Sequence, residues 1–274
     1  MSQIGIKNFR LHGEPPYSIL CVHGGPGAAG SLFRLAHDLS KQRGLIEPFQ
    51  TKSTIAGQIA ELKQIIADLA DFPVVLIGHS WGAWLSYLFS SENPELVKKL
   101  IMIGAGPFRA DYVPAMMKTR KKRLKFREKS RLEELLVLLG NTENPNDRSI
   151  LSELGTLMEK TDNYCLMKLP DLELENNKII QKLDPGIFSG IMPEASEMRR
   201  SGALLKSGSR ITCPVVAIHG DHDPHPAAGA KDPLSKIIKD FRFYLLARCG
   251  HEPWREKFAR EEFYGIIEKE IAES

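Results

Sequence analysis

The sequence predicts an α/β fold: a mostly parallel central sheet, flanked by helices and interrupted by a block of helices. Three observations predict it. From Tyr17 to Gly104, short apolar runs alternate with stretches of helical apolar spacing. From about Pro107 to Leu205 the apolar positions keep helical spacing and no strand is convincing. Alternation then resumes at Pro214 and continues to the C-terminus. Parallel strands need crossover helices and are buried on both faces, so their sequences read as continuous apolar runs. The expected organisation is a core from residues 1–106 and 206–274, with residues 107–205 inserted as a helical cap.

Each element has a local reason. Residues 5–12 fit a short edge strand before the turn at Glu14-Pro15-Pro16. Tyr17–Val22 is the first apolar run. Ser31 is placed to cap a helix to about Lys41 that carries Leu32, Leu35, Ala36 and Leu39 on one face. Leu45–Pro48 is a brief extended piece. Ser53–Leu69 has an amphipathic stripe of Ile55, Ile59, Leu62, Ile65, Ile66 and Leu69. Val74–Ile77 is short and β-branched, as buried strands are. A mostly buried helix follows and stops before Pro94. Lys98–Gly104 is the next strand.

In the inserted block, residues 113–139 include nine basic residues against one acidic in KTRKKRLKFREKSR. Leu132, Leu135, Leu136 and Leu139 are its expected buried side. A solvated face is the bland reading of this run, and an anionic membrane or nucleic acid the sharper one. Helix breaks are expected at Thr161–Asn163 and Asp184–Gly186. Beyond it, Pro214–Ile218 and Phe241–Leu246 read as strands, 231–239 and Glu252–Glu273 as helices. The apolar positions of the last helix include Trp254, Phe258, Phe263, Ile266 and Ile267.

Composition narrows the function classes. The chain has 274 residues, 42% apolar and 26% charged, enough to bury a full core. A net charge of +3 is too small to argue for a nucleic-acid partner. No apolar run approaches a membrane span, and MSQIGIKNFRLHG lacks the pattern of a secretory signal. Cys21, Cys165, Cys213 and Cys249 are scattered without a CxxC pair, which fits reduced thiols in a cytoplasmic protein. No cofactor is implied.

The chemistry gathers on loops that follow strands. Gly78-His79-Ser80-Trp81-Gly82 joins a strand to a helix through a sharp turn. Such a turn holds the serine in a strained conformation with its hydroxyl exposed, and glycines on either side avoid collision with strand and helix. A bare G-x-S-x-G occurs by chance in roughly one chain in ten of this composition, so its placement carries the signal. His23-Gly24-Gly25-Pro26-Gly27 ends the first apolar strand and keeps its backbone N–H groups approachable. It lacks the spacing of a phosphate loop and sits where an oxyanion loop is needed, although a plain glycine-rich turn is also possible. His219, Asp221, His222, Asp223 and His225 cluster after a later strand. As neighbours on one strand end they are expected to point different ways, so a metal site is not expected. Cys249 reads as a small buried residue, and His23 and His79 as structural.

The chain order Ser80, Asp223, His251 is the order of the α/β-hydrolase fold. HGGPG, GHSWG, GDHD and CGH together resemble the α/β-hydrolase superfamily over residues 17 to 270, and HGGPG resembles its prolyl-iminopeptidase-like branch. The resemblance implies an α/β-hydrolase fold with Ser80 as nucleophile, His251 as base and Asp223 as the acid that orients it. Asp221 is the alternative acid. The backbone N–H groups of Gly25 and Trp81 would form the oxyanion hole. The chain departs from that branch after its first helix, because Leu45–Ser53 is short and lacks the DQRG-x-G-x-S motif. The branch binds a free amino terminus through acidic cap residues, for which Glu173, Glu175, Glu194 and Glu197 are candidates.

The expected activity is therefore cleavage of an ester or amide of a small molecule or short peptide through an acyl-enzyme, as an aminopeptidase or carboxylesterase. A carbon–carbon bond hydrolase shares the same triad. A serine at the elbow argues against epoxide-hydrolase chemistry, whose elbow nucleophile is a carboxylate. The rivals from other classes are a binding protein that kept the fold and lost turnover, and a metal-dependent hydrolase built on residues 219–225. Neither nucleic acid nor membrane is an expected partner.

Overall fold

The computed structural model describes residues 8–140, 148–168 and 185–274. Seven strands form one sheet in the order β1-β3-β2-β4-β5-β6-β7. They are β1 (Phe9–His12), β2 (Tyr17–Val22), β3 (Gly44–Pro48), β4 (Val74–His79), β5 (Val97–Ile103), β6 (Val215–Gly220) and β7 (Phe241–Leu246). Only β1 runs antiparallel, against β3. The other neighbours are parallel, with Leu76 opposite Leu100 and Ile101 opposite Val216.

Side chains on successive strand residues point to opposite faces, and both faces here are apolar. Ile19, Cys21, Val75, Ile77, Ile101, Ile103, Val216 and Ile218 pack on one side against helices α1 (Phe33–Leu39) and α10 (Arg260–Ala272). Leu20, Val22, Leu76, Leu100, Met102, Val215 and Ala217 pack on the other against α2 (Ile55–Leu69), α3 (Trp81–Glu92) and α9 (Ala227–Leu234). This two-sided burial is why the strands lack polar alternation.

Between β5 and β6 the chain carries α4 (Val113–Arg123), α5 (Phe126–Gly140), α6 (Arg148–Asp162), α7 (Pro185–Ser201) and α8 (Ala203–Ser207). Ile187, Ile191, Ala195 and Leu204 join the same apolar core as α2 and α3. Glu194 on α7 accepts the Ile55 N–H at the start of α2 (2.9 Å), so α7 is pinned to the N-terminus of α2. Among the described residues, no helix is long and apolar enough to cross a membrane.

Several expected boundaries move. Helix α1 starts at Phe33 with Leu32 before it, so Ser31 is not its cap. Helix α2 starts at Ile55 because Thr54, not Ser53, turns its hydroxyl to the Gly57 N–H. The basic segment is two helices, broken where Leu124 is buried and the Lys125 N–H finds Glu128 (2.8 Å). Leu132 and Leu135 are buried as expected, but Leu136 is 42% exposed. The expected 231–239 helix lies earlier, at Ala227–Leu234. The C-terminal helix begins only at Arg260, after a 3-10 turn at Pro253–Arg255, and Phe258 lies outside it, 44% exposed.

Candidate active site

Strand β4 delivers Ser80 to a sharp turn in which its backbone sits at φ 54°, ψ −115°. A non-glycine residue there is strained, typically by about 1–3 kcal/mol, so its neighbours must hold it. They do so by close approach. A Cβ at Gly78 would overlap the Gly82 carbonyl oxygen, and one at Gly82 would overlap the Val22 carbonyl oxygen. The Ser80 N–H is fixed to the Ile103 carbonyl (2.9 Å), which ties the turn to the end of β5.

The loop after β2 leans on this turn. A Cβ at Gly24 would lie 3.0 Å from Ser80 Cβ and 2.8 Å from His79 Nδ1. Next to it Gly25 is exposed and has φ +41°. Trp81 is the first residue of α3, so its N–H has no intrahelical acceptor. Its indole N–H donates to Gln58 Oε1 (2.9 Å), which makes the ring part of the core. His23 is fully buried, donates through Nδ1 to the Gly24 carbonyl (2.9 Å) and accepts the Gln50 N–H through Nε2 (3.1 Å). Burial pushes its pKa down, so it is a neutral brace.

His251 arrives from the loop after β7. Its Nδ1 donates to Oδ2 of Asp223 (2.7 Å), which follows β6. Asp221 faces elsewhere and accepts the Cys249 N–H (3.1 Å). The shelf under the His251 ring is Gly104, at φ +54°, where a Cβ would lie 2.9 Å from the ring Nδ1. His79 braces the other side, donating through Nε2 to the His251 carbonyl (3.0 Å) with the rings 4.5 Å apart. Burial holds the pKa of His79 well below its ordinary value.

Burial disfavours charge on both members of the Asp223–His251 pair, but their mutual attraction prevails. Desolvation would raise the Asp223 carboxyl, yet the facing His251, His225 and His219 rings hold it well below the carboxylate range. Desolvation would lower His251, yet Asp223 opposite raises it above its ordinary value. Cys249 is buried and its thiol is pushed far up, so it is no nucleophile.

Three features escaped the sequence. Glu256, fully buried, accepts the N–H groups of Tyr164 (2.6 Å), Cys165 (2.7 Å) and Gly250 (2.8 Å), stapling the segment after α6 to the histidine loop. The His251 N–H donates to the Asp162 carbonyl (2.9 Å), and the Asp162 carboxylate is paired with Arg120 of α4. His225 also holds Asp223. The expectation that the 219–225 side chains diverge holds for Asp221, which takes the Cys249 N–H, and for His222, which packs against Tyr164, but is corrected for Asp223 and His225: their ligand atoms and that of His251 lie within 4.8 Å of one another. Those atoms are committed to each other, however, since Asp223 takes an Nδ1–H from both rings. Of the acidic residues expected to receive a substrate amine, Glu194 bonds the start of α2 and Glu197 pairs with Arg200 at the surface. Glu173 and Glu175 lie outside the described residues.

Comparison with known proteins agrees with this architecture. Residues 17–257 match the family model described as the alpha/beta hydrolase fold. A soluble epoxide hydrolase of Corynebacterium sp. (strain C12) is 20% identical over 93% of this chain and 92% of its own. Among solved structures, VinJ superposes with a TM-score of 0.73 at 17% identity, covering 97% of this chain and 94% of its own. The proline iminopeptidase of Mycobacterium smegmatis superposes at 0.67 and 17%, with the same coverage of 97% and 94%. With the family match covering most of its length, the chain belongs to the α/β-hydrolase-fold family.

Proposed function

We propose that the protein is a serine hydrolase that cleaves an ester or amide of a small substrate through an acyl-enzyme. The observation that carries this reading is the strained Ser80 turn, whose His79 packs against His251 of the hydrogen-bonded Asp223–His251 pair. Ser80 Oγ attacks the substrate carbonyl while His251 Nε2 takes its proton. Asp223 keeps the other ring proton on Nδ1 and stabilises the imidazolium as it forms. The negative oxygen develops against the N–H groups of Trp81 and Gly25, each contributing roughly 3 kcal/mol if removed singly. His251 then returns its proton to the leaving group. Water, deprotonated by the same ring, releases the acyl group from Ser80.

A serine at the elbow fits acyl transfer and not the opening of an epoxide, which uses a carboxylate nucleophile. The helices between β5 and β6 are read as the cap that selects the substrate. Glu194 and Glu197 are occupied, so among the described residues neither is free to receive a substrate amino group. Four free cysteines fit a reducing, cytoplasmic setting.

The test is turnover of short and medium p-nitrophenyl esters and of aminoacyl p-nitroanilides, the prolyl one included, by wild type and Ser80→Ala. Ester turnover lost in Ser80→Ala is the expected result. Turnover of the prolyl anilide alone would reassign the protein to the aminopeptidases. Activity that survives in Ser80→Ala would overturn the serine mechanism.

A further inference from the structure

The triad carboxylate carries two histidines. His225 donates its Nδ1–H (2.7 Å) and its backbone N–H (2.9 Å) to Oδ1 of Asp223, while His251 holds Oδ2. The two rings stack at 4.7 Å and 26°, and the His225 side chain is only 12% exposed. Its backbone is fixed too, because His219 Nε2 donates to the His225 carbonyl (2.7 Å). Beyond its Nε2, at 3.5 Å, stands the guanidinium of Arg120.

We propose that His225 is a positioning residue of the triad: its two N–H groups fix the Asp223 carboxylate with Oδ2 aimed at His251, and moderate the grip of that carboxylate on the imidazolium. The inference rests on the serine-hydrolase reading above. Each hydrogen bond on Oδ1 draws charge from the carboxylate, so less is left to stabilise protonated His251. A neutral second ring suits this role, since a charged one would repel both His251 and Arg120. Burial, set against Asp223, lowers its pKa to about 4, so the ring is neutral in the range where His251 titrates.

The groups around the pair are charged on several sides. Asp223, His225 and His219 face it from β6 and its loop, and His79 from the elbow. Asp162 faces His251 from the end of α6, and Glu252 lies on its own loop. Arg120 and Arg123 approach from α4. Of these, only His225 and His251 donate side-chain hydrogen bonds to Asp223.

The experiment follows the rate at which a fluorophosphonate labels Ser80 across pH, in wild type, His225→Leu and His225→Asn. Leu keeps the volume and removes the donor; Asn places an N–H where Nδ1 stands. In His225→Leu the acid limb is expected to move up by about 0.5–1 pH unit, a three- to tenfold change in proton affinity. His225→Asn is expected to recover the wild-type limb. A limb that stays in place in His225→Leu would overturn the proposal, as would equal behaviour of Leu and Asn.

Should His225→Leu fail to fold, imidazole NMR of the wild type decides. Two low-field Nδ1–H protons at neutral pH are expected, and a His225 ring protonated on Nε2 or titrating near 6.5 would refute the assignment. Absence of Ser80 labelling in the wild type would instead strike the hydrolase reading, while the NMR still reads the His225 bond.

Discussion

Glu256→Ala should damage this protein more than loss of any ordinary buried glutamate. The wild-type carboxylate accepts three backbone N–H groups at 2.6, 2.7 and 2.8 Å, with no surface exposure. Alanine leaves all three donors without this acceptor, the Gly250 N–H buried and the Tyr164 and Cys165 N–H groups part-buried. An unsatisfied buried donor costs about 1–3 kcal/mol, so the sum is roughly 3–6 kcal/mol after water partly fills the gap. Glu256→Gln keeps an oxygen for two of the donors and turns an amide N–H toward the third, so about 2 kcal/mol is expected.

Urea unfolding reads both values from the shift in midpoint at constant slope. Gly250 is one of the three donors and precedes His251, so the histidine loop loosens with the staple. The rate of Ser80 acylation should therefore fall in Glu256→Gln under conditions where the variant is fully folded. A Glu256→Ala variant within 1 kcal/mol of wild type would refute the reasoning, because it would mean the three hydrogen bonds contribute almost nothing.

Two further outcomes follow from the same geometry. The base must be neutral to accept a proton, and Asp223 raises the pKa of His251 despite burial, so kcat/KM should rise with pH through an apparent pKa above 6.5; a limb at or below 6.5 would contradict the pairing. Gly155→Ala on α6, where a Cβ meets nothing within 4 Å, should stabilise by about 0.5–1 kcal/mol, whereas Gly82→Ala, aimed at the Val22 carbonyl, should lose several kcal/mol or fail to fold, as thermal melts would show.

The sheet was legible because burial on both faces writes itself into continuous runs such as Val74–Ile77 and Leu100–Ile103. Ser80, Asp223 and His251 could be singled out because each sits on a loop with a recognisable local signature, and the hydrogen bond between the last two is the part of that reading the structure displays. The helices were less so. Gly229 argues against a helix from propensity, yet α9 runs through it because the helix closes on Pro107, where a Cβ would come within 2.8 Å. The start of α10 is delayed to Arg260 because residues near Glu256 are recruited to pair with the segment at Leu166. Glu256 itself looks like a surface acid in sequence, and its three partners lie as far as 92 residues away. His225 was seen within its cluster but not its role, which depends on which oxygen of Asp223 each ring takes. Tertiary closure decides these features, and local pattern does not encode it.

The central claim is that Ser80 is a nucleophile activated by His251. The most direct measurement is intact-protein and peptide mass spectrometry after exposure to a fluorophosphonate at pH 8. The account predicts one adduct, on the peptide that contains Ser80, absent in Ser80→Ala and slowed by orders of magnitude in His251→Ala. Folded wild-type protein that stays unlabelled, or an adduct that persists in Ser80→Ala, would contradict it.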